Sequence, residues 1–282
     1  MSVLAIIGAG TLGGALAHLA ASQDHYREVR LIDDAGDVAA GKALDIRQAG
    51  PIERFGTAVV ADRSPSAVIG ANVVVLTGPA AAPAAEWDEE AGLDRLRRVA
   101  AFGRGTVVIC AGAGQRRLVE RGVSEAGLDR RRIIGSAPEA LRGAVRAIVA
   151  LEVGSEASEV ALTLLGTPPR QVVVPWSQVT VGGLSLEASL APARQRRLRE
   201  RVAALWPPGP YVLAAAAGRV AASLVTGSSR QSSCFVAVDG EFGVRKHVLA
   251  APVQLGAGGV TRIVEPPLNA RERTRLAAAR AD

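Results

Sequence analysis

Histidine, cysteine, asparagine, lysine and aromatic residues are all scarce in this chain of 282 residues. His18, His25 and His247 are the only histidines and no CxxC occurs, so no set of side chains has the spacing of a zinc-type cage. Cys110 and Cys234 stand in apolar surroundings without a partner spacing. They read as reduced, buried thiols of a cytoplasmic protein. No stretch approaches the ~20 uninterrupted apolar residues of a membrane-spanning helix. The start, MSVLAIIGAG, has no basic n-region and runs directly into a glycine motif, so no signal peptide is expected. The net charge is +6, but aromatics make up only 3% of the residues. The arginines spread over several predicted helices, such as 194–201 and 271–280, with no stacking platform beside them. They read as solvated helix faces rather than as a nucleic-acid surface.

What is present is a long apolar grammar, 49% hydrophobic against 21% charged residues, over a length that favours two domains. The first half alternates short apolar runs with helical stretches, the signature of βαβ units and a parallel sheet. Strands are expected at 3–7, 29–33, 57–61, 73–77, 106–110 and 132–134, with helices at 11–21, 38–49, 89–102 and 115–124. Six such strands match a doubly wound sheet. After Gly135 the pattern becomes α+β. A helix is expected at 139–151 and a strand at 160–165, then a break over Thr167, Pro168 and Pro169. Antiparallel strands at 172–176 and 184–186 follow, turned by Gly182 and Gly183, then helices at 192–205 and 211–225. A meander at 234–238, 244–249, 253–255 and 260–264 leads to a last helix from Arg271. The expected boundary lies near residue 137, giving a dinucleotide-binding domain over 1–137 and an α+β domain over 138–282.

Gly8-Ala9-Gly10-Thr11-Leu12-Gly13 forms a G-x-G-x-x-G loop directly after a predicted strand and at the opening of a predicted helix. The first glycine permits a tight turn and the second a close approach of backbone to a pyrophosphate. The third permits close packing of helix on strand, and the helix N-terminus favours the anion. Asp33 follows 20 residues after Gly13, where a carboxylate bonds ribose hydroxyls. With Asp34 beside it, this charge repels a 2′-phosphate, so NAD is expected rather than NADP. Thr77 and Gly78, at the end of the fourth strand, face the same crevice.

Several segments together resemble the lactate/malate dehydrogenase family. In the first half they are IIGAGTLGGALAHLA, LIDDAGDVAAGKALDI and GANVVVLTG. In the second they are VPWSQVTVGG, DGEFGV and APVQLGAGGVTRIVEPPLN with the following Glu272. The resemblance implies a Rossmann domain followed by an α+β domain, an NAD cofactor, a dimer or tetramer, and hydride transfer on a 2-hydroxy acid. It also implies a histidine base oriented by an aspartate, an arginine forked onto the substrate carboxylate and a second cation from a closing loop.

This chain departs from that pattern at each of those positions. The family's histidine falls on Pro168, and no histidine occurs between His25 and His247. Counted without gaps, the aspartate and arginine that the family spaces three apart fall on Leu141 and Ala144; a slip of one residue gives Arg142 and Val145. The family's Asn-Pro falls on Ala111-Gly112, and the loop from Pro79 to Asp88 is short and holds no arginine. A pocket lined by Ala81, Ala111, Leu141, Ala144 and Pro168 would be apolar.

Three further side chains have two readings each. Arg146 matches a family arginine beyond the substrate clamp and suits a subunit or anion contact better than catalysis. Arg170 either holds an acidic ligand or sits in a surface turn. Glu86, with Asp88, is either a replacement acid or base or a first-turn helix acid. The expectation is a member that binds NAD(H) without the family's classical reaction. The alternative is an oxidoreductase acting on another 2-hydroxy or 2-oxo acid through a rebuilt site.

Overall fold

The computed structural model describes residues 2–227 and 230–278. Met1 and Arg280, which ends the last arginine-rich stretch, lie outside the described residues. The first half contains β1 (Val3–Ile7), α1 (Thr11–Ser22), β2 (Glu28–Ile32), α2 (Gly36–Glu53), β3 (Ala58–Asp62) and β4 (Val73–Leu76). It continues with α3 (Glu89–Phe102), β5 (Val107–Cys110), α4 (Arg116–Ser124) and β6 (Ile133–Gly135). β1, β4 and β5 are runs of Val, Ile, Leu, Ala and a terminal Cys in which every residue is buried. That continuous apolar pattern belongs to parallel strands covered on both faces. Their order is β3-β2-β1-β4-β5-β6, so the chain starts in the middle, winds outward one way, then returns to β4 and winds the other. The reversal between β1 and β4 opens a crevice beyond the strands' C-terminal ends.

The second half contains α5 (Ala137–Val153), β7 (Val160–Ala161), β8 (Leu165–Thr167), β9 (Gln171–Val173), β10 (Thr180–Val181), β11 (Leu184–Ser185) and α6 (Leu186–Ser189). It ends with α7 (Pro192–Arg201), α8 (Pro210–Thr226), β12 (Ser232–Asp239), β13 (Arg245–Gly256), β14 (Gly259–Ile263) and α9 (Ala270–Ala278). The parallel strands do not end the sheet. β12 joins β6 through the Phe235–Gly135 pair, and β13, β8 and β9 extend it antiparallel.

Three details differ from the sequence expectation. The hairpin turned by Gly182 and Gly183 pairs β10 with β11, so its first strand is 180–181 rather than 172–176. The expected strand over 160–165 is two short strands in different sheets, β7 and β8. The two strands expected at 244–249 and 253–255 are one, running through Pro252. Pro252 faces Ser233, whose N–H bonds Glu139 Oε2 at 2.8 Å rather than crossing the ladder, so a donor there is not missed.

Candidate functional site

Strand register gathers the site before any side chain is considered. Ile7 pairs with both Ile32 and Leu76, Leu76 with Cys110, and Cys110 with Gly135. Gly8, Asp33, Thr77, Ala111 and Ser136 are each one residue further on, so all five stand on one sheet edge. That edge is where doubly wound sheets bind dinucleotides. The glycine loop crosses it and enters α1 at Gly10. Gly8 has φ +112°, and a Cβ on Gly13 would fall 1.9 Å from Gly8 O, so the turn and the strand–helix contact both demand glycine. Leu12 is buried beside them. The eight residues expected to surround the dinucleotide, Gly8, Gly10, Thr11, Leu12, Gly13, Asp33, Thr77 and Gly78, thus meet in one place.

Their polar groups are engaged with the chain itself. Asp33, only 4% exposed, accepts from Ala9 N (2.7 Å) and Ala80 N (2.9 Å) at Oδ2 and from Ala35 N (2.9 Å) at Oδ1. Gly10 N donates to Gly78 O at 3.0 Å and Thr11 N to Pro83 O at 2.8 Å. Thr77 Oγ1 donates to the carbonyls of Ile7 and Gly8. Lys42 Nζ reaches the Ala9 carbonyl at 2.6 Å and the Gly10 carbonyl at 3.2 Å. Residues 78–87 lie across the edge. At one end, Glu86 accepts from Ala113 N (2.6 Å) and Gly114 N (2.8 Å) beyond β5. Gln115, 2% exposed, ties the same place together, donating to Thr77 O and Trp87 O and accepting from Gly112 N. At the β2 side the Arg95 guanidinium stacks 4.4 Å above Trp87 and pairs with Asp34. A hollow of about 10 Å³ remains there between Asp33, Asp34, Trp87 and Arg95, room for about one water.

Toward the second half, Ala111 and Leu141 are fully buried, Pro168 is buried, and Ala144 is partly so. Ala81 is exposed on the crossing segment. Arg146 donates to the carbonyls of Val160 (2.9 Å) and Ala157 (2.6 Å). Burial, then the charges of Arg142 and Arg219, hold its pKa below the usual arginine value. Arg170 is exposed in the turn between β8 and β9, and Asp88 is the residue before α3. Cys110 is sealed at the end of β5, where burial pushes its thiol up to about 12. His18 pairs with Glu53 at the surface, at 2.8 Å.

The residue that spacing missed is Glu139, 6% exposed in the first turn of α5. Arg142 forks onto it at 2.8 and 2.5 Å, and Arg219 Nε approaches to 3.3 Å. The hydroxyls of Ser136 and Ser233 nearby are buried and without a hydrogen-bond partner. The signal was in the sequence: Glu139 and Arg142 are an acid and an arginine three residues apart, two positions before the place that ungapped counting reaches.

Comparison with known proteins gives these features a lineage. Residues 2–89 match the lactate/malate dehydrogenase NAD binding domain, and residues 209–282 match the lactate/malate dehydrogenase alpha/beta C-terminal domain, together more than half of the chain. The chain belongs to the lactate/malate dehydrogenase family. A malate dehydrogenase of Dehalococcoides mccartyi is 26% identical, the match covering 98% of this chain and 95% of the relative. One from a Roseiflexus species is 26% identical over 95% and 92% of the two chains. Among solved structures, Salinibacter ruber malate dehydrogenase superposes with a TM-score of 0.87 at 24% identity, covering 98% and 93% of the two chains. A Cryptosporidium parvum lactate dehydrogenase, complexed with lactic acid and nicotinamide adenine dinucleotide, superposes at 0.89 with 20% identity, covering 99% of this chain and 94% of that one.

NAD is therefore the cofactor to which this family's first domain is fitted. In this member, the Gly10 and Thr11 amides and both oxygens of Asp33 face the chain's own backbone. Residues 78–87 thus take up hydrogen-bonding groups that the glycine loop and Asp33 would otherwise offer. Among the described residues, no group of three or more His, Cys, Asp or Glu is placed to hold a metal ion, and no helix is long and apolar enough to cross a membrane.

Proposed function

We propose that this protein is an NAD(H)-binding member of the lactate/malate dehydrogenase family that does not carry out the classical lactate or malate reaction, and works by binding or regulation. The observation that carries the reading is a contrast between two sets of positions. Gly8, Gly10, Gly13, Asp33 and Thr77 share the sheet edge, while the positions that family resemblance gives to base, orienting acid, clamp and amide hold Pro168, Leu141, Ala144 and Ala111. A positioned base typically contributes 10²–10⁴ in rate, so its loss together with the clamp removes the driving chemistry. We further propose the domain division at residue 137, a cytoplasmic location and a dimer or tetramer. The oligomer is favoured by apolar side chains left exposed on α2 (Val38, Leu44, Ile52) and at the start of α8 (Tyr211, Val212).

One observation favours the second reading, an NAD-dependent oxidoreductase with a rebuilt site for a different 2-hydroxy or 2-oxo acid. Glu139 and Arg142 keep an acid and an arginine three apart at the start of α5, beside unpartnered serine hydroxyls. The two readings separate in one experiment. NADH is titrated by fluorescence up to millimolar concentration, then 2-oxo acids (pyruvate, oxaloacetate and longer analogues) are added while nicotinamide absorbance is followed. The expected result is saturable binding with no turnover. Steady NADH consumption would overturn the non-catalytic reading and direct mutagenesis to Glu139, Arg142, Arg170 and Glu86.

A further inference from the structure

Residues 78–87 read Gly-Pro-Ala-Ala-Ala-Pro-Ala-Ala-Glu-Trp. Before Glu86 this segment has no polar side chain, and its two prolines lack N–H groups. What it presents is carbonyl oxygen. The carbonyls of Gly78 and Pro83 accept from Gly10 N and Thr11 N. A Cβ placed on Gly10 would find Gly78 O at 2.9 Å and both Pro79 O and Pro83 O at 3.0 Å. Three acceptor oxygens therefore converge on the N-terminus of α1, where the helix dipole and unpaired amides favour the oxygens of an anion. The segment covers the rest of the trough as well. Ala80 N holds Asp33, Trp87 with Arg95 closes the side next to Asp34, and Glu86 clasps the amides beyond β5.

Its attachment is mostly main-chain. Ala81 to Ala85 are exposed, Ala80 is buried, and Trp87 is half-buried. Alanine methyls facing solvent hold nothing in place, so the apolar side chains that the segment itself buries are Ala80 and, in part, Trp87. At its start Gly78 packs so closely on the segment's far end that a Cβ there would fall 1.9 Å from Ala85 O.

We infer that residues 78–87 are an internal competitor for the cofactor cleft: their carbonyl oxygens stand where pyrophosphate oxygens would bind, and NAD(H) enters only as the segment leaves. This rests on the reading that the chain binds NAD(H). The apparent affinity of the intact protein is then reduced by the fraction of molecules whose cleft is open. Any condition or partner that draws the segment away raises it.

The test combines amide hydrogen exchange at Gly10 and Thr11 with NADH titration, on the full chain and on two variants that loosen opposite ends of the segment. Glu86→Ala removes the clasp on Ala113 and Gly114; Ala80→Pro removes the donor to Asp33. First-turn amides have no partner within their own helix, so in an open cleft they exchange freely. We expect protection of both amides in the ligand-free wild type, loss of it in both variants, and NADH binding at least about tenfold tighter in the variants. Unprotected amides in the ligand-free wild type, or equal affinity in all three proteins, would overturn the proposal and leave cofactor binding standing. Protection lost in the variants with no NADH bound by any of them would overturn it differently, because the cofactor reading itself would have failed. If one variant does not fold, the other with the wild-type exchange data still decides.

Discussion

Glu139 shows how much rests on single side chains here. Its two oxygens receive the Arg142 fork, the Arg219 guanidinium and the Ser233 amide, with only 6% of the residue exposed. Removing one partner of such a buried pair leaves an uncompensated charge, which costs more than the pair contributes when whole. Glu139→Ala is expected to lower the unfolding free energy by ~3–5 kcal/mol. The double variant with Arg142→Ala should lose less than the two single losses added, because the orphaned guanidinium is gone. Urea denaturation of the three proteins checks both statements. The sequence held the acid–arginine spacing, but burial and partners came from β12 and α8, far along the chain. Asp33 is the converse case. Its position past the second strand was legible, whereas its saturation by Ala9, Ala35 and Ala80 depends on where residues 78–87 lie.

At the scale of elements, one substitution has opposite outcomes in two helices. Gly13 and Gly41 both lie in helices, where alanine is favoured by ~1 kcal/mol. A Cβ on Gly41 meets nothing within 4 Å, so Gly41→Ala should raise the melting temperature by the propensity gain alone. A Cβ on Gly13 falls 1.9 Å from Gly8 O, a backbone atom that does not step aside. Overpacking of ~1–3 kcal/mol or more then exceeds the gain, and Gly13→Ala should melt lower. Thermal unfolding of both variants beside the wild type decides the sign. Elements marked by an unbroken apolar run or by the glycine motif, such as β1, α1 and β4, were legible within a residue or so. The short strands β7 to β10 were not, because two- and three-residue segments carry no period and take their shape from partners, although β11 falls within a residue of its expected place.

Across the whole molecule the two halves are not independent bodies. One sheet runs from β3 through β6 into β12 and β13, and one apolar cluster extends from Val3 to Val260. Phe235 sits at the join, 1% exposed, paired with Gly135 and edge-on to Trp206 at 6.3 Å. A Cβ on Gly135 would come within 2.9 Å of the Phe235 Cβ, so glycine there allows the ring to cover the seam. Such continuity predicts a single cooperative transition, with far-UV dichroism and tryptophan fluorescence coinciding through urea unfolding. Phe235→Ala should lower that transition by ~3–5 kcal/mol without splitting it. Two separated transitions would show that the halves fold apart.

The sequence by itself determined the doubly wound half, the family, the glycine loop with its acid, and the absence of any histidine between His25 and His247. These are local or ordered signals: a period of apolar residues, a motif between strand and helix, a residue type absent from the relevant stretch. Only the tertiary structure decided what fills the crevice. Pro79 and Pro83 name a turn in sequence, but which amides their neighbouring carbonyls and their own meet depends on β1 and β4 being adjacent, some 70 residues apart in the chain. Hydrogen bonds of that span follow from strand order, which no window of residues contains.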